Sequence, residues 1–304
     1  MRIYRNISGE TGGSERSRTP NLWMDIMNKV AQRLLVFFIG LPLTICLVWF
    51  NQFHHIALHI LILAVAALAA GELYGLMSKK FPMQNRAVVM SLTMTPPVAG
   101  ALCSIFFPDL VSLTDYLFVF VALLCMVFEV LSSKTFESSL SHIVTSVFSV
   151  FYIGLLPTFV SRMTTHEHSR EFIAFFFLMV CMCDSVAWFF GVLFGKGNKG
   201  FIKASPNKSV AGFIGGFAGT MLTALVAHLL FPEVFFGSAA KVLVFGFFVA
   251  FVAIAGDFTE SVIKRSVEVK DSGSLIPGRG GVLDSIDSIL FVAPVYYFGI
   301  SFLF

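Results

Sequence analysis

The largest concentration of ionisable side chains in this sequence lies between two apolar runs, at residues 256–288. Asp257, Glu260, Ser261 and Lys264 occur there at intervals of three and four residues, the spacing of side chains on one face of an α-helix. A helix over these residues would carry two carboxylates, a hydroxyl and an ammonium group on the same face. Such a set of groups can bind a phosphorylated ligand together with its cation.

A glycine-rich turn follows, and it leads into a second pair of acids. The residues that make its backbone irregular are Pro277, Gly278, Gly280 and Gly281. Glycine lets the backbone come close to a ligand, because no side chain intervenes. Asp284 and Asp287 come next, in what we predict to be the first turn of a helix. Their spacing of three residues points both carboxylates the same way.

Carboxylates on both sides of basic residues and a glycine turn predict a site for a divalent cation and phosphate groups. Mg2+ takes a few carboxylates and completes its coordination with substrate phosphate oxygens, while Lys and Arg neutralise the remaining charge. The alternative is a solvated loop whose charges pair only with one another, which is common between membrane helices. Spacing alone leaves both interpretations open.

A second basic stretch lies earlier in the chain, in a short glycine-rich connector. Its lysines are Lys196, Lys199, Lys203 and Lys208. Ammonium groups and backbone amides can converge on phosphates there, or the lysines only mark a cytosolic loop. Ser205 or Asn207 is expected to cap the following helix. That helix has glycines spaced for close packing against a neighbour, namely Gly212, Gly215, Gly216 and Gly219.

Three acids lie inside apolar runs, namely Asp184, Glu72 and Glu129, and the last two are predicted to be interfacial. Asp184 is near the middle of its run, where a carboxylate costs about 2.5–3.5 kcal/mol on insertion scales. We therefore expect it to face a polar cavity or to pair with a neighbouring helix. Glu72 lies nearer the end of its run, so we predict an interfacial position for it, with the same cavity as the alternative.

The polar stretch closely resembles the signature of the phosphatidate cytidylyltransferases, also called CDP-diacylglycerol synthases. The matching residues are Ser261, Lys264, Arg265, Lys270, Asp271, Gly273, Ile276, Pro277, Gly278, Gly280, Gly281, Asp284 and Asp287. The earlier stretch resembles a second part of the same family pattern at Asp184, Phe194, Gly195, Lys196, Lys199, Ser205, Pro206, Lys208, Gly212, Gly215 and Gly216. The chain departs from that pattern at Arg279 in place of His, Ser285 in place of Arg, and Val210-Ala211 in place of Trp-Glu.

The resemblance implies an enzyme that converts CTP and phosphatidate into CDP-diacylglycerol and pyrophosphate for phospholipid synthesis. The catalytic residues it implies are Asp257, Lys264, Arg265, Asp284 and Asp287. The residues it implies for binding the nucleotide and phosphates are Lys196, Lys199, Ser205, Lys208, Ser261, Lys270, Asp271 and Arg279. Mg2+, alone or with a second cation, would be held by Asp257, Asp284 and Asp287, with Asp184 as an accessory ligand. A homodimer is left open.

The amino-acid composition predicts that these residues belong to a membrane protein. The chain has 304 residues, of which 57% are hydrophobic and 13% charged, with a mean hydropathy of +0.84. Soluble domains carry about 25% charged residues, so we predict an all-α, polytopic membrane protein. The net charge of +3 is too small to indicate binding to nucleic acid.

The order of apolar segments predicts about nine transmembrane helices. They lie near 34–50, 54–77, 87–107, 116–131, 143–160, 172–194, 210–231, 242–256 and 289–304. Residues 1–28 are expected to be a disordered cytosolic tail, and residues 29–304 an integral-membrane cytidylyltransferase domain. Eighteen of the 21 bases fall in the tail and alternate loops, which predicts an N-in, C-out topology with the active site facing the cytosol of a bacterial inner membrane. The bases left outside are Arg162, Arg170 and Lys241.

Two other functions fit parts of the pattern. A secondary transporter would use Asp184 and the glycine-broken segments as an ion or substrate pathway. No repeated half is visible in the sequence, however, and a transporter gives no reason for so many charges in one loop. A CTP-dependent lipid kinase would release CDP rather than pyrophosphate, so the nucleotide product distinguishes the three.

Overall fold

The structure, a computed structural model, describes residues 39–40, 42–49, 52–200, 202–276 and 278–304. Within these ranges it is helical, with two isolated β-bridges and no strand. The predicted tail, residues 1–28, lies outside the described residues, as does the start of the first apolar segment. Residues 42–49 of that segment are helical.

Within the described ranges nine α-helices follow, with one π-helix and a short 3-10 helix, Pro108–Leu110, which contains Asp109. They are α1 (Gln52–Met77), α2 (Arg86–Phe106), α3 (Leu113–Ser132), α4 (Ser139–Ser149), the π-helix (Val150–Leu155), α5 (Thr158–Met163), α6 (Ser169–Phe194), α7 (Val210–Leu230), α8 (Ala239–Ser266) and α9 (Leu283–Leu303). The described residues contain eight helical spans long and apolar enough to cross a membrane, one of them formed jointly by α4, the π-helix and α5. The chain is thus an all-helical, multi-pass membrane protein.

The π-helix occurs where its span meets a proline bend in α2. Pro96 and Pro97 are both buried, and Pro97 lacks the N–H that would bond to the carbonyl of Thr93. Gly154 of the π-helix packs against this carbonyl so closely that a Cβ on it would lie 2.9 Å from the Thr93 oxygen. Only glycine fits at this contact, and the π-helix carries Tyr152 into the protein interior.

Helices α6 and α7 pack closely through the glycines of α7. A Cβ on Gly215 would lie 2.7 Å from Phe190 Cβ, and a Cβ on Gly219 would lie 2.7 Å from Val186 Cγ2. The packing role predicted for these glycines is therefore confirmed. The predicted cap of α7 is wrong, because α7 begins only at Val210 and the Gly212 N–H donates to Ser209 Oγ at 3.1 Å.

An aromatic core joins α6, α8 and α9. The Tyr296 ring lies 5.3 Å from Phe176 and 5.2 Å from Phe245, and its hydroxyl donates to the Phe172 carbonyl at 2.8 Å. Helix α8 continues for ten residues past the predicted apolar segment 242–256, up to Ser266. The polar face predicted for its end is consequently part of a continuous helix that is anchored in this core.

Candidate active site

The candidate site lies at the end of the helical bundle where α1 and α8 end and α9 begins. Lys80, just after α1, donates to the carbonyl of Ser266, the final residue of α8, at 2.9 Å. Helices α8 and α9 are in close contact here, since a Cβ on Gly256 would lie 2.9 Å from the Asp287 carbonyl. The two acidic pairs predicted from the sequence are thus brought to one place.

Three aspartates from three helices act on one another electrostatically. Asp287 on α9 is buried, with 8% of its surface exposed, and it lies within electrostatic range of Asp257 on α8 and Asp184 on α6. The Ser288 N–H donates to Asp287 Oδ1 at 2.6 Å. Asp184 is exposed to the space beside α6 rather than paired with a neighbouring helix. No ion pair of Asp184 occurs within the described residues, so the predicted pairing with a neighbouring helix is not observed there, and the polar cavity stays a prediction.

Lys208 connects the two stretches of the sequence pattern. Its ammonium group forms an ion pair with Asp257 Oδ2 and lies 4.5 Å from the centre of the Phe258 ring. Both side chains of the ion pair are about a third exposed, at 31% and 28%. The charge of Lys208 is thus fixed beside the acids while still open to a ligand.

Lys264 forms two ion pairs with acids that are almost fully buried. Its Nζ contacts Glu260 Oε2 and lies 2.5 Å from Asp284 Oδ1, while the side chains of Glu260 and Asp284 are only 1% and 5% exposed. The prediction that acidic and basic side chains share one face of α8 is therefore confirmed for Glu260 and Lys264. In the described part of the chain, Glu260 Oε1 has no hydrogen-bond partner.

Asp284 uses its other oxygen to hold the loop that precedes α9. Oδ2 accepts from Ser272 N at 2.8 Å and from Gly281 N at 2.7 Å, and it lies 2.9 Å from Ser272 Oγ, whose one proton is shared with Glu72. Both carboxylate oxygens are engaged, since Oδ1 contacts Lys264. In this arrangement Asp284 organises the loop, and its assignment to the cation stays a prediction.

The glycine turn has the irregular backbone that the sequence predicts. Gly278 and Gly280 have φ angles of 75° and 110°, values that favour glycine. Ile276 N donates to the Gly280 carbonyl at 2.8 Å and closes the turn, while Pro277 lies outside the described residues. Arg279 lies in this turn, and its guanidinium charge acts electrostatically on Asp184.

Glu72 lies against this loop. Its carboxylate accepts hydrogen bonds from Val282 N at 3.0 Å, Leu283 N at 2.9 Å and Ser272 Oγ at 3.0 Å. The interfacial position predicted for Glu72 and its alternative, the cavity of Asp184, both stay predictions, while these contacts show that the carboxylate binds the loop and the start of α9. No local pattern around Glu72 indicates these partners.

Tyr152 is a residue that sequence reasoning missed. It is 1% exposed, its hydroxyl has no hydrogen-bond partner among the described residues, and it lies within electrostatic range of Asp287, Glu260 and Asp257. Its ring stacks on Phe148 at 5.4 Å. The one available signal was a tyrosine in an apolar run, which is too common to indicate a site.

Several predicted residues lie around the acids rather than among them. Exposed side chains that form no ion pair within the described ranges are Lys196, Lys199, Lys270 and Asp271. Ser205 is half-buried, and Ser261 is buried on α8. Arg265 donates to the carbonyls of Ala204 at 3.4 Å and Val269 at 3.0 Å, which holds the two loops together. These residues form a polar rim to the site.

The acids fit an Mg2+ site that a ligand would complete. Among the described residues, no three His, Cys, Asp or Glu side chains are placed to share one metal ion. Mg2+ does not need such a cage, because it binds through one or two carboxylates and completes its coordination with water and phosphate oxygens. Asp257, Asp287 and Asp184 are hard oxygen donors on three helices, and their charges act on one another electrostatically. The donor chemistry matches this ion.

Curated proteins named phosphatidate cytidylyltransferase are similar to much of this chain. The protein from Bacillus subtilis (strain 168) is 34% identical over 185 residues, which is 59% of this chain and 65% of the relative. The protein from Staphylococcus saprophyticus is 37% identical over 147 residues, or 48% of this chain and 55% of the relative. One from Staphylococcus epidermidis is 35% identical over 176 residues, 57% of this chain and 66% of the relative.

The chain thus spans less than two thirds of the length of these relatives. The profile of the Cytidylyltransferase family covers more of the chain and matches residues 31–303. That range includes all nine helices, the three aspartates and both loops around them. By this match over most of its length, the chain belongs to the Cytidylyltransferase family.

Proposed function

We propose that this protein transfers the cytidylyl group of CTP to phosphatidate, giving CDP-diacylglycerol and pyrophosphate. The observation that carries the proposal is the meeting of Asp257, Asp287 and Asp184 with Lys208 and Arg279 at one end of a membrane bundle. A site of this kind fits a polyanionic nucleotide with its cation. The family and the names of the relatives support the same reaction.

The reaction requires positioning and charge neutralisation more than covalent catalysis. A phosphate oxygen of phosphatidate attacks the α-phosphorus of CTP in line, the bond to the β-phosphate oxygen breaks, and pyrophosphate leaves. Lys208 and Lys264 form ion pairs with the acids, and the charge of Arg279 acts on Asp184; we assign these three bases to phosphate oxygens. The outer lysines of the rim, Lys196, Lys199 and Lys270, attract the nucleotide from water.

Asp257 and Asp287 would hold Mg2+, with Asp184 as a further oxygen donor. When bound, the ion neutralises charge on the phosphates of CTP. The chain itself sets the distance between the acids, because Gly256 lets α8 approach the Asp287 backbone directly. Asp284 has a different role, because its oxygens accept hydrogen bonds from Lys264 and from the backbone of the glycine loop.

A membrane location of the cavity suits the two substrates. The acyl chains of phosphatidate remain in lipid while CTP arrives from water, so the reacting phosphates must meet near the membrane surface. The cavity lies at the ends of α1 and α8 and the start of α9, within a bundle that exposes large apolar side chains around it. We infer that this end faces the cytosol of a bacterial inner membrane.

The proposed orientation is nine spans with the N-terminus inside, and it gives a direct prediction. Reporter fusions should place Lys203 and Gly273 in the cytosol and Phe304 outside, because the alternate segments carry 18 of 21 bases. Finding Gly273 on the outer side would remove the site from CTP and contradict the proposed enzyme.

A single assay tests the function. Purified protein in detergent, given CTP labelled at the α-phosphorus, phosphatidate and Mg2+, should transfer the label to lipid and release pyrophosphate. Formation of CDP and a newly phosphorylated lipid would indicate a kinase instead. Absence of any nucleotide turnover, with uptake of a solute by reconstituted vesicles, would indicate a transporter.

Arg279 is expected to bind CTP. A guanidinium group offers a planar, permanently charged fork to phosphate, and here it lies in the glycine turn, where its charge acts electrostatically on Asp184. Arg279→Ala should therefore raise the KM for CTP severalfold in steady-state assays. Arg279→His should have low activity with CTP at pH 8 and higher activity at pH 6, because His is charged only near or below about pH 6.5. Adding Ser285→Arg to this variant should restore the activity.

The matched control is Lys134→Ala, which removes an exposed base from another loop. It should leave the KM for CTP unchanged. Equal CTP affinity in the wild type and Arg279→Ala would make Arg279 an ordinary surface base.

A further inference from the structure

Three parts of the chain that are far apart in sequence meet at the carboxylate of Glu72. Oε1 accepts from Val282 N at 3.0 Å, and Oε2 accepts from Leu283 N at 2.9 Å and from Ser272 Oγ at 3.0 Å. Glu72 lies on α1, Ser272 in the glycine-rich loop and Leu283 at the first position of α9. One side chain therefore joins a transmembrane helix, the loop and the start of a second helix.

The Glu72 carboxylate caps the N-terminus of α9, a role that usually belongs to a residue next to the helix in sequence. The first N–H groups of a helix have no partners within the helix, and they favour a negative charge. The residue at the cap position, Val282, makes no side-chain capping hydrogen bond. Glu72 accepts from two of these N–H groups from outside the helix, so α1 helps to fix the start of α9, together with Asp284 of α9, which accepts from Gly281 N.

The loop is shaped to fit around Glu72. A Cβ on Gly273 would lie 2.5 Å from Glu72 Oε1, and a Cβ on Gly281 would also overlap the Glu72 carboxylate. Neither glycine has a φ angle in the range that L residues avoid, so close approach explains both. The backbone thus encloses the carboxylate from two sides.

Glu72 also connects to the acids and bases of the site. The Ser272 hydroxyl lies 3.0 Å from Glu72 and 2.9 Å from Asp284 Oδ2, and Asp284 in turn contacts Lys264. Asp287 lies one helical turn after Asp284 on the same helix. Movement of Glu72 would therefore shift the loop and the start of α9. The carboxylates of Asp284 and Asp287, which lie on α9, would move with it.

We infer that Glu72 is a positioning residue of the transferase, which sets the glycine loop and the acids of α9 against α8. This inference rests on the proposed function for its kinetic test, while its structural test is independent. Glu72 touches no reacting atom in this assignment. Its effect is exerted through Ser272 and the first N–H groups of α9.

The first experiment compares Glu72→Gln and Glu72→Asp with the wild type. The amide of Gln has the size of the carboxylate but turns an NH2 group toward backbone N–H donors, so kcat should fall by about 10²-fold, as misplacement of about 1 Å can cause. Asp keeps the charge with a shorter reach and should restore part of kcat. The KM for CTP should change much less than kcat, because the bases of the rim remain.

Glu129→Gln is the matched control. Glu129 is also a buried glutamate of a membrane helix, and it accepts from Gln84 Nε2 at 3.0 Å, within a polar cluster of its own. Its replacement should lower the melting temperature but leave kcat within about twofold. If Glu72→Gln and Glu129→Gln lose activity only in proportion to their loss of stability, Glu72 is a structural residue and the inference is wrong.

The second experiment needs no activity. Hydrogen exchange of residues 272–283 should become faster in Glu72→Gln, while exchange in α6 and α7 stays as in the wild type. Ser272→Ala should add less to Glu72→Gln than it does to the wild type, because the two residues share one hydrogen bond, and what it still adds comes from its contacts with Asp284. Unchanged exchange in this loop overturns the inference even if the protein proves to have another activity, whereas faster exchange without any cytidylyl transfer contradicts only the proposed function.

Discussion

Asp257→Asn should reduce the turnover of CTP by about 10²- to 10³-fold while the protein stays folded, as loss of one charge-stabilising group at an active site does. Asn keeps the shape of Asp and removes the charge that pairs with Lys208 and faces Asp287 and Asp184. Asp287→Asn should have an effect of similar size. Steady-state assays over a range of Mg2+ concentrations measure both, and EDTA should abolish activity in the wild type.

Asp284→Asn should also lower turnover, but for a different reason. Asp284 Oδ2 accepts hydrogen bonds from the loop while Oδ1 contacts Lys264, and an amide cannot do both, because one of its two ends is an NH2 donor. This variant should therefore melt at a lower temperature, unlike Asp257→Asn. Asp109→Asn, which alters an exposed acid at a distant helix end, is the control and should be unchanged. Near-normal turnover of Asp257→Asn and Asp287→Asn, with unaltered Mg2+ dependence, would identify the acids as a solvated face.

Lys264→Met should produce the largest loss of stability. The substitution leaves Glu260 and Asp284 as buried carboxylates with no cation between them. Removal of one partner from a buried ion pair costs about 3–5 kcal/mol. Thermal unfolding in detergent should show a clear fall in melting temperature, together with loss of cytidylyl transfer.

The double variant Glu260→Gln with Lys264→Met separates charge from packing. It removes one acid along with the base, so much of the stability should return although activity does not. Lys134→Met changes an exposed lysine and should shift stability by no more than about 0.5 kcal/mol. A Lys264→Met protein that melts like the wild type would show that water reaches these carboxylates freely.

The helices could be predicted from the sequence because a membrane span has a strong compositional requirement. Backbone groups in lipid must bond within a helix, so long apolar runs mark the spans reliably. The helical faces that carry Asp257 and Lys264, and the start of α9 before Asp284, were predicted for a similar reason. Both follow from spacing within a few residues of the chain.

The contacts made across the bundle could not be predicted in this way. Glu72 forms its hydrogen bonds with residues about 200 positions further along the chain. A sequence pattern spans only a few residues, so it cannot predict these partners. Tyr152 reaches the acids only because Gly154 and the bend at Pro97 shape its helix. The cap of α7 was missed by a few residues, because Ser205 and Asn207 are as good as Ser209 in isolation.

The long separation between Glu72 and its partners also bears on how the protein is made. A growing chain inserts its helices in order, and α1 enters the membrane long before residues 272–283 have been synthesised. Until then Glu72 has none of these partners, and Asp257 lacks Asp287 beside it. The site is assembled only when the beginning and the end of the described fold meet. A chain that ends before residue 272 therefore lacks these contacts, and the arrangement of acids described above forms only after the last helix has been made.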